Sequence, residues 1–172
     1  CVDNPEAEIK KFENGNIFDP GENPIKSAQA LVRSTIKAEK GTKFAVADYN
    51  SIENVILAWV SGEEDVLDIH RRGEDEYTHF AMDIFNCSYE EVTKEQRTFC
   101  KPGVLGAGYT LAARGLLGYA KGYGVNMRLE DAIRIINTYR SNRTHVVDFW
   151  YGTINAAVSA IHNPNETFSY KR

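Results

Sequence analysis

A chain of 172 residues, 42% hydrophobic and 26% charged, is one domain or a large piece of one, and it can bury a sizeable core. Its net charge of −4 excludes a polycation that coats nucleic acid by charge alone. No run approaches the roughly 20 apolar residues of a membrane span, and the polar, acidic start from Cys1 to Lys11 is neither a signal nor a transit peptide, so no membrane partner is expected.

Residues 1–27 carry Asp19-Pro20-Gly21 and Asn23-Pro24 as turn signals and read as loop or linker. The chain does not begin with Met, and it is expected to be cut from something longer. Ala28 to Ile36 fits either a strand or a helix. Gly41-Thr42 then precedes Lys43 to Asp48, an apolar run ending in a carboxylate, whose length and leading turn predict a buried strand. Ile52, Val55, Ile56 and Trp59 recur at helical spacing and stop at Ser61-Gly62. Glu63 to Arg72 predicts a short helix closed by Gly73, and Tyr77 to Phe85 another. Thr93 and Gln96 form a capping-box pattern at the head of a further helix. That helix is expected to run past Pro102, Gly103, Gly106 and Gly108, although an interior proline costs about 3 kcal/mol or more. Leu129 to Tyr139 and Val146 to Ile161 complete the helices. Asn163-Pro164-Asn165 ends the last one, and Thr167 to Tyr170 is expected to begin a strand. The fold class read from this pattern is mainly α with a small β component.

The cysteines, Cys1, Cys87 and Cys100, are odd in number and lack CxxC spacing, which speaks against a disulfide framework or a zinc site. The histidines, His70, His79, His145 and His162, show no ligand spacing. Basic residues cluster at Lys94, Arg97 and Lys101 and again at Arg134, Arg140 and Arg143; on charge alone these are solvated helix faces.

Two constellations carry chemistry. In the first, Asp48 closes the apolar run and precedes a helix. A carboxylate there suits magnesium, a hard cation that prefers oxygen donors, and it equally suits a helix N-cap, the commoner case for this feature by itself. In the second, Arg97, Lys101, Leu105 and Tyr109 stand four residues apart, so on a helix they share one stripe. An arginine fork and a lysine point charge one turn apart suit a polyphosphate, while an apolar residue and an aromatic further along could pack on a base and sugar. Alone, that spacing is more often a surface helix with two ordinary cations.

Together the two are more specific. Asp48-Tyr49-x-x-Ile52-Glu53, followed by an apolar helix, resembles motif A of family A (polymerase I type) DNA polymerases. Glu95-Gln96-Arg97-x-x-x-Lys101-x-x-x-Leu105-x-x-x-Tyr109 resembles their motif B on the fingers helix. Gly73-x-Asp75-x-Tyr77 and Val92-Thr93-x-Glu95-Gln96-Arg97 match the linking segment in kind and order, and Val32-Arg33-x-x-Ile36 resembles the lead into motif A. The likeness covers roughly Leu31 to Ile161 and is nearest to phage members through Lys101-Pro102-Gly103-Val104-Leu105-Gly106-Ala107-Gly108-Tyr109.

The resemblance implies a template-directed DNA polymerase that adds deoxynucleotides to a primer 3′ end by two-metal phosphoryl transfer, acting in the cytoplasm of a bacterium or a phage-infected host. It implies 28–62 as palm strand and helix with motif A, 63–163 as helical fingers with motif B, and 164–172 as the start of a return to the palm. It implies Asp48 as ligand of two magnesium ions, with the Tyr49 carbonyl on one. Ser51 would contact the triphosphate, Glu53 would lie under the sugar and exclude a 2′-hydroxyl, and Arg97 and Lys101 would grip phosphates. Lys101 would be the general acid for leaving pyrophosphate. Tyr109 would stack near the templating base, and Tyr77 stands where many bacterial members have a phosphate-binding histidine. Leu105 replaces a common aromatic, and Thr110 replaces the glycine that usually follows the tyrosine. The implied partners are primer-template DNA, deoxynucleoside triphosphates and the remainder of the polymerase chain. The family's second catalytic carboxylate lies in a His-Asp-Glu motif, and no His-Asp pair occurs here, so the chain by itself is expected to be inactive. Two alternatives stand beside this reading: a relative among single-subunit RNA polymerases, against which Glu53 argues, and a helical nucleic-acid-binding module without catalysis.

Overall fold

The computed structural model describes residues 9–10, 13–14, 25, 29, 31–32 and 36–170. Two compact units divide the chain, Cys1–Asp48 and Tyr49–Arg172. The expectations for residues 1–27 and for Ala28 to Ile36 fall largely outside the described residues.

In the first unit a turn closes where the Thr42 amide and hydroxyl both donate to the Glu39 carbonyl, at 3.0 and 2.9 Å, with Gly41 in the left-handed region at φ 89°. The following run, Lys43 to Asp48, is exposed and belongs to no strand, which corrects the expected motif A strand. The reason is physical. An apolar run becomes a strand only when a neighbour pairs its amides and carbonyls, and no described residue does so. Thr167 to Tyr170 likewise starts no strand. The described residues contain helices only, so the expected β component is absent from them.

The described residues of the second unit hold seven α-helices: α1 Ile52–Ser61, α2 Glu64–Arg71, α3 Glu76–Phe85, α4 Lys94–Gly108, α5 Ala113–Gly122, α6 Leu129–Asn142 and α7 Thr144–His162, with one 3₁₀ turn at Tyr89–Glu91. Gly62 ends α1 at φ 81°, its amide donating to the Ala58 carbonyl. The Asp75 carboxylate starts α3 by accepting from the Thr78 amide. The capping box read from sequence starts α4: Thr93 Oγ1 accepts the Gln96 amide at 3.2 Å, and Gln96 Oε1 accepts the Thr93 amide at 2.8 Å. Helix α4 continues through Pro102, which is buried. Core packing there offsets the lost backbone donor.

Residues Phe80, Cys100, Val104, Leu116, Ala132, Ile135, Tyr139 and Val146 form the core, drawn from α3 to α7. Helix α4 lies at its centre because Gly103 lets the backbone close on Ile135; a Cβ at that position would collide with the Ile135 γ2 methyl. Tyr139 stacks on Trp150 of α7 at 6.3 Å and meets Phe80 edge-on at 6.2 Å. A smaller cluster of Val55, Ala58, Val66 and Leu67 joins α1 to α2.

Helix α5 has no counterpart among the predicted elements, since Gly115, Gly118 and Gly122 break up its apolar period. Two buried glutamates tie distant parts together. Glu63 accepts from the His145 and Val146 amides at 3.0 and 3.3 Å, serving the open N-terminus of α7. Glu76 stands between His70 Nε2 at 3.3 Å and Arg143 Nη2 at 3.7 Å.

Candidate functional site

The spacing of Arg97 and Lys101 puts them one turn apart on α4, and both point at one ring. The Arg97 guanidinium lies 5.2 Å and the Lys101 ammonium 5.5 Å from the centre of the Tyr77 ring on α3. This is cation–π geometry, and the largely buried ring fixes the face from which the two cations project.

Asp75, which sequence reasoning left without a role, holds Arg97. Arg97 Nε donates to Asp75 Oδ2 at 2.8 Å and Nη2 to Oδ1 at 2.7 Å. The same carboxylate accepts from the Thr78 amide at 2.8 Å and the Thr78 hydroxyl at 2.7 Å. Burial pushes the Asp75 carboxyl up, but the Arg97 fork and the Thr78 donors outweigh it and hold the group below its ordinary value. Arg97 in turn is raised, first by Asp75. The guanidinium is therefore aimed, and the rest of its N–H donors stay available for a phosphate. A sequence signal existed, in that Asp75 precedes Tyr77 at the head of a predicted helix.

Ser51 precedes α1 in the left-handed region, φ 49°, and makes no side-chain cap. It lies near Tyr77, whose ionisation burial pushes up and Ser51 lowers in part. Four residues singled out in the sequence, Ser51, Tyr77, Arg97 and Lys101, are thus brought together.

A second group gathers at the other end of α4. Tyr109 caps the helix and is exposed; lost hydration and then the nearby Glu53 charge push its ionisation up. Glu53, Asn54, Leu57, Gly108, Tyr109, Thr110 and Trp150 line a groove of about 330 Å³. Asn54 Nδ2 is buried there without a hydrogen-bond partner among the described residues, a feature that no sequence pattern marks. Thr110 takes φ 65°, the left-handed region where glycine is at home. Leu105 is half-buried against the core edge.

Asp48 ends the first unit and is exposed, as is Tyr49 at the start of the second. A carboxylate and a carbonyl are hard oxygen donors, which fits magnesium and not a soft metal. Among the described residues no group of three or more His, Cys, Asp or Glu could hold a metal ion by itself. The cluster Arg134, Arg140 and Arg143 forms no single face: Arg143 is buried against Glu76, and Arg134 lies over the Phe85 ring at 5.9 Å. The histidines His70, His79 and His145 each pair with a glutamate.

The chain as a whole has relatives among known proteins. The sequence model of DNA polymerase family A matches residues 22–169, and the chain belongs to that family. It is 37% identical to DNA polymerase I of Aquifex aeolicus over 109 residues, covering 63% of this chain and 19% of that protein. It is 27% identical to the DNA polymerase of Bacillus phage SP02, covering 76% of this chain and 20% of the phage protein. With DNA polymerase I of Borreliella burgdorferi it shares 30% identity, over 77% of this chain and 14% of that protein. The chain spans about a fifth or less of the length of these relatives.

Proposed function

We propose that this chain carries the nucleotide-binding face and part of the catalytic centre of a template-directed DNA polymerase that extends a primer 3′ end with deoxynucleotides. The observation that carries the reading is the pair Arg97 and Lys101 on one face of α4, both over Tyr77, within a family A chain. A triphosphate along that face would take its phosphates from the open N–H donors of Arg97 and the mobile ammonium of Lys101. Asp75 holds the guanidinium in place beforehand, so less freedom is lost on binding. Lys101 would pass a proton to the leaving pyrophosphate, and Ser51, beside Tyr77, would meet the same phosphates. Asp48 and the Tyr49 carbonyl would hold magnesium, two ions in the complete centre. When bound, such ions neutralise phosphate charge and favour the primer hydroxyl as nucleophile.

Glu53, which lines one groove with Tyr109, would lie under the sugar and exclude a 2′-hydroxyl. Tyr109 would stack near the templating base, and Leu105 would back the base from the helix. Primer-template DNA and the remainder of a polymerase chain are the expected partners, in a bacterial or phage-infected cell. The bacterial and phage relatives support that setting, and no described helix is long and apolar enough to cross a membrane. The sequence offers no His-Asp pair as second carboxylate, so the chain by itself should bind nucleotide without extending a primer.

The test is titration of the 172-residue chain with a fluorescent deoxynucleoside triphosphate and magnesium. Lys101→Ala and Arg97→Ala should each weaken binding about tenfold or more, or about 1.4 kcal/mol. Glu53→Ala should narrow the preference over the matched ribonucleotide. Equal binding by wild type and Lys101→Ala would remove the assignment.

A further inference from the structure

The segment between α3 and α4 has no part in the site described above, yet one of its side chains reaches the head of α3. The Tyr89 hydroxyl, carried on the 3₁₀ turn Tyr89–Glu91, accepts the Asp75 amide at 3.1 Å across 14 residues of sequence. Asp75 is also the residue whose carboxylate forks Arg97. One aspartate is thus held at two points, the amide by Tyr89 and the carboxylate by Arg97 and Thr78.

That amide needs a partner from outside its helix. Asp75 is the N-cap of α3, with extended backbone at φ −93° and ψ 114°, so its N–H lies ahead of the first helical turn. The residues before it form a tight turn: Gly73 takes φ 71°, and the Glu74 amide goes to the Ile69 carbonyl at 3.1 Å. Among the described residues the Tyr89 hydroxyl is the acceptor of the Asp75 amide. The planar Glu74–Asp75 peptide it holds sets the direction in which the Asp75 side chain leaves the backbone.

Tyr89 is itself well anchored. The Glu91 carboxylate closes its turn by accepting from the Ser88 amide at 2.8 Å and the Ser88 hydroxyl at 3.0 Å. The half-buried Tyr89 ring tilts against His79 of α3, with ring centres 5.0 Å apart. Glu74 lies 2.6 Å from His79 Nε2 and accepts from Arg72 at 2.8 Å. The ring therefore rests on α3 while its hydroxyl meets the head of the same helix. A phenylalanine would serve the ring contact equally well. What the hydroxyl adds is the bond to Asp75.

We propose that Tyr89 is a positioning residue for the triphosphate: by holding the Asp75 amide it fixes the carboxylate that aims the Arg97 guanidinium. Tyr89 touches no substrate in this scheme. The assignment rests on the polymerase reading in one respect, that a phosphate is what Arg97 receives. A guanidinium fixed beforehand loses less freedom on binding, so the hydroxyl adds affinity through preorganisation.

The test is a double-mutant cycle on the 172-residue chain, read by titration with a fluorescent deoxynucleoside triphosphate and magnesium. Tyr89→Phe keeps the ring against His79 and should weaken binding about threefold to tenfold, the range that one net hydrogen bond supports. In the Arg97→Ala background the same change should cost nothing further, because the group it positions is gone. Glu91→Ala, which unties the turn carrying Tyr89, should weaken binding in the wild type and add nothing to Tyr89→Phe. The second readout is the Asp75 carboxyl, followed against pH by carbon NMR. The Arg97 fork helps to hold it below its ordinary value, so in Tyr89→Phe it should titrate higher as the fork loosens. A tyrosine that only supported the fold would weaken binding equally in both backgrounds and leave the Asp75 carboxyl in place. Such an equal loss, or unchanged affinity in Tyr89→Phe while Arg97→Ala still weakens binding, would overturn the proposal. If Arg97→Ala itself leaves binding unchanged, the polymerase reading falls and the Asp75 carboxyl decides. A rise in Tyr89→Phe then keeps Tyr89 as the support of the fork, and no rise removes it.

Discussion

Arg97 reaches its ligand-facing pose through a carboxylate, and this gives one residue a measurable acid signature. The Asp75 carboxyl is held below its ordinary value because the Arg97 fork and the Thr78 donors outweigh its burial. A depressed carboxyl stabilises the fold above its unfolded value, about 3.9, and that stabilisation is lost as pH falls through the folded value. Urea midpoints of the chain should therefore drop as pH is lowered below the unfolded value. In Asp75→Asn, which keeps a side-chain oxygen for the Thr78 amide, the drop should be shallower. Identical slopes in the two proteins would mean that the fork does not persist in solution. Glu74, Glu91 and Asp131 are depressed as well, so the variant removes a share of the slope and not all of it. At this scale the sequence was legible for charge and spacing, and silent on pairing. Arg97 and Lys101 were visible as cations one turn apart, whereas the ring beneath them and the carboxylate beside them come from another helix. Thr110 shows the same divide: its identity is plain in the chain, but its left-handed backbone, φ 65°, is not.

Helices with a strong start or stop could be read directly. The Thr93–Gln96 box, the Gly62 stop and the apolar period of α6 all rest on local chemistry that needs no partner. The strand expected at Lys43 to Asp48 is absent, since a strand is defined by what pairs with it. Helix α5 was hidden by its glycines, and these are not alike. Gly103 in α4 is held by packing, because a Cβ there would run into the Ile135 γ2 methyl in the middle of the core. Gly103→Ala should cost about 1–3 kcal/mol by overpacking, read as a fall in the urea midpoint at unchanged slope. Gly118→Ala has open space and should gain up to about 1 kcal/mol instead. A Gly103→Ala protein as stable as wild type would show that α4 and α6 sit further apart than described.

At the scale of the whole second unit, the α3 to α7 core was foreseeable in composition, and its closure was not. Glu63 and His145 are 82 residues apart, and no pattern in the chain links them. Glu63→Ala would leave the buried Val146 amide and the part-buried His145 amide without this acceptor, at a cost of about 1–3 kcal/mol. Hydrogen exchange at those two amides should quicken well before exchange at Val104 or Ile135 does; equal protection in variant and wild type would sink the idea. The same contact bears on how the protein is made. A growing chain exposes Glu63 at the ribosome long before residue 145 exists, so its carboxylate stays hydrated through the emergence of α3 to α6. Only the arrival of Thr144–His162 gives that charge its donors. Helix α7 then acts as the clasp of the unit, and a nascent chain released before it should remain open to proteases at α1 and α2 however well α4 has already packed.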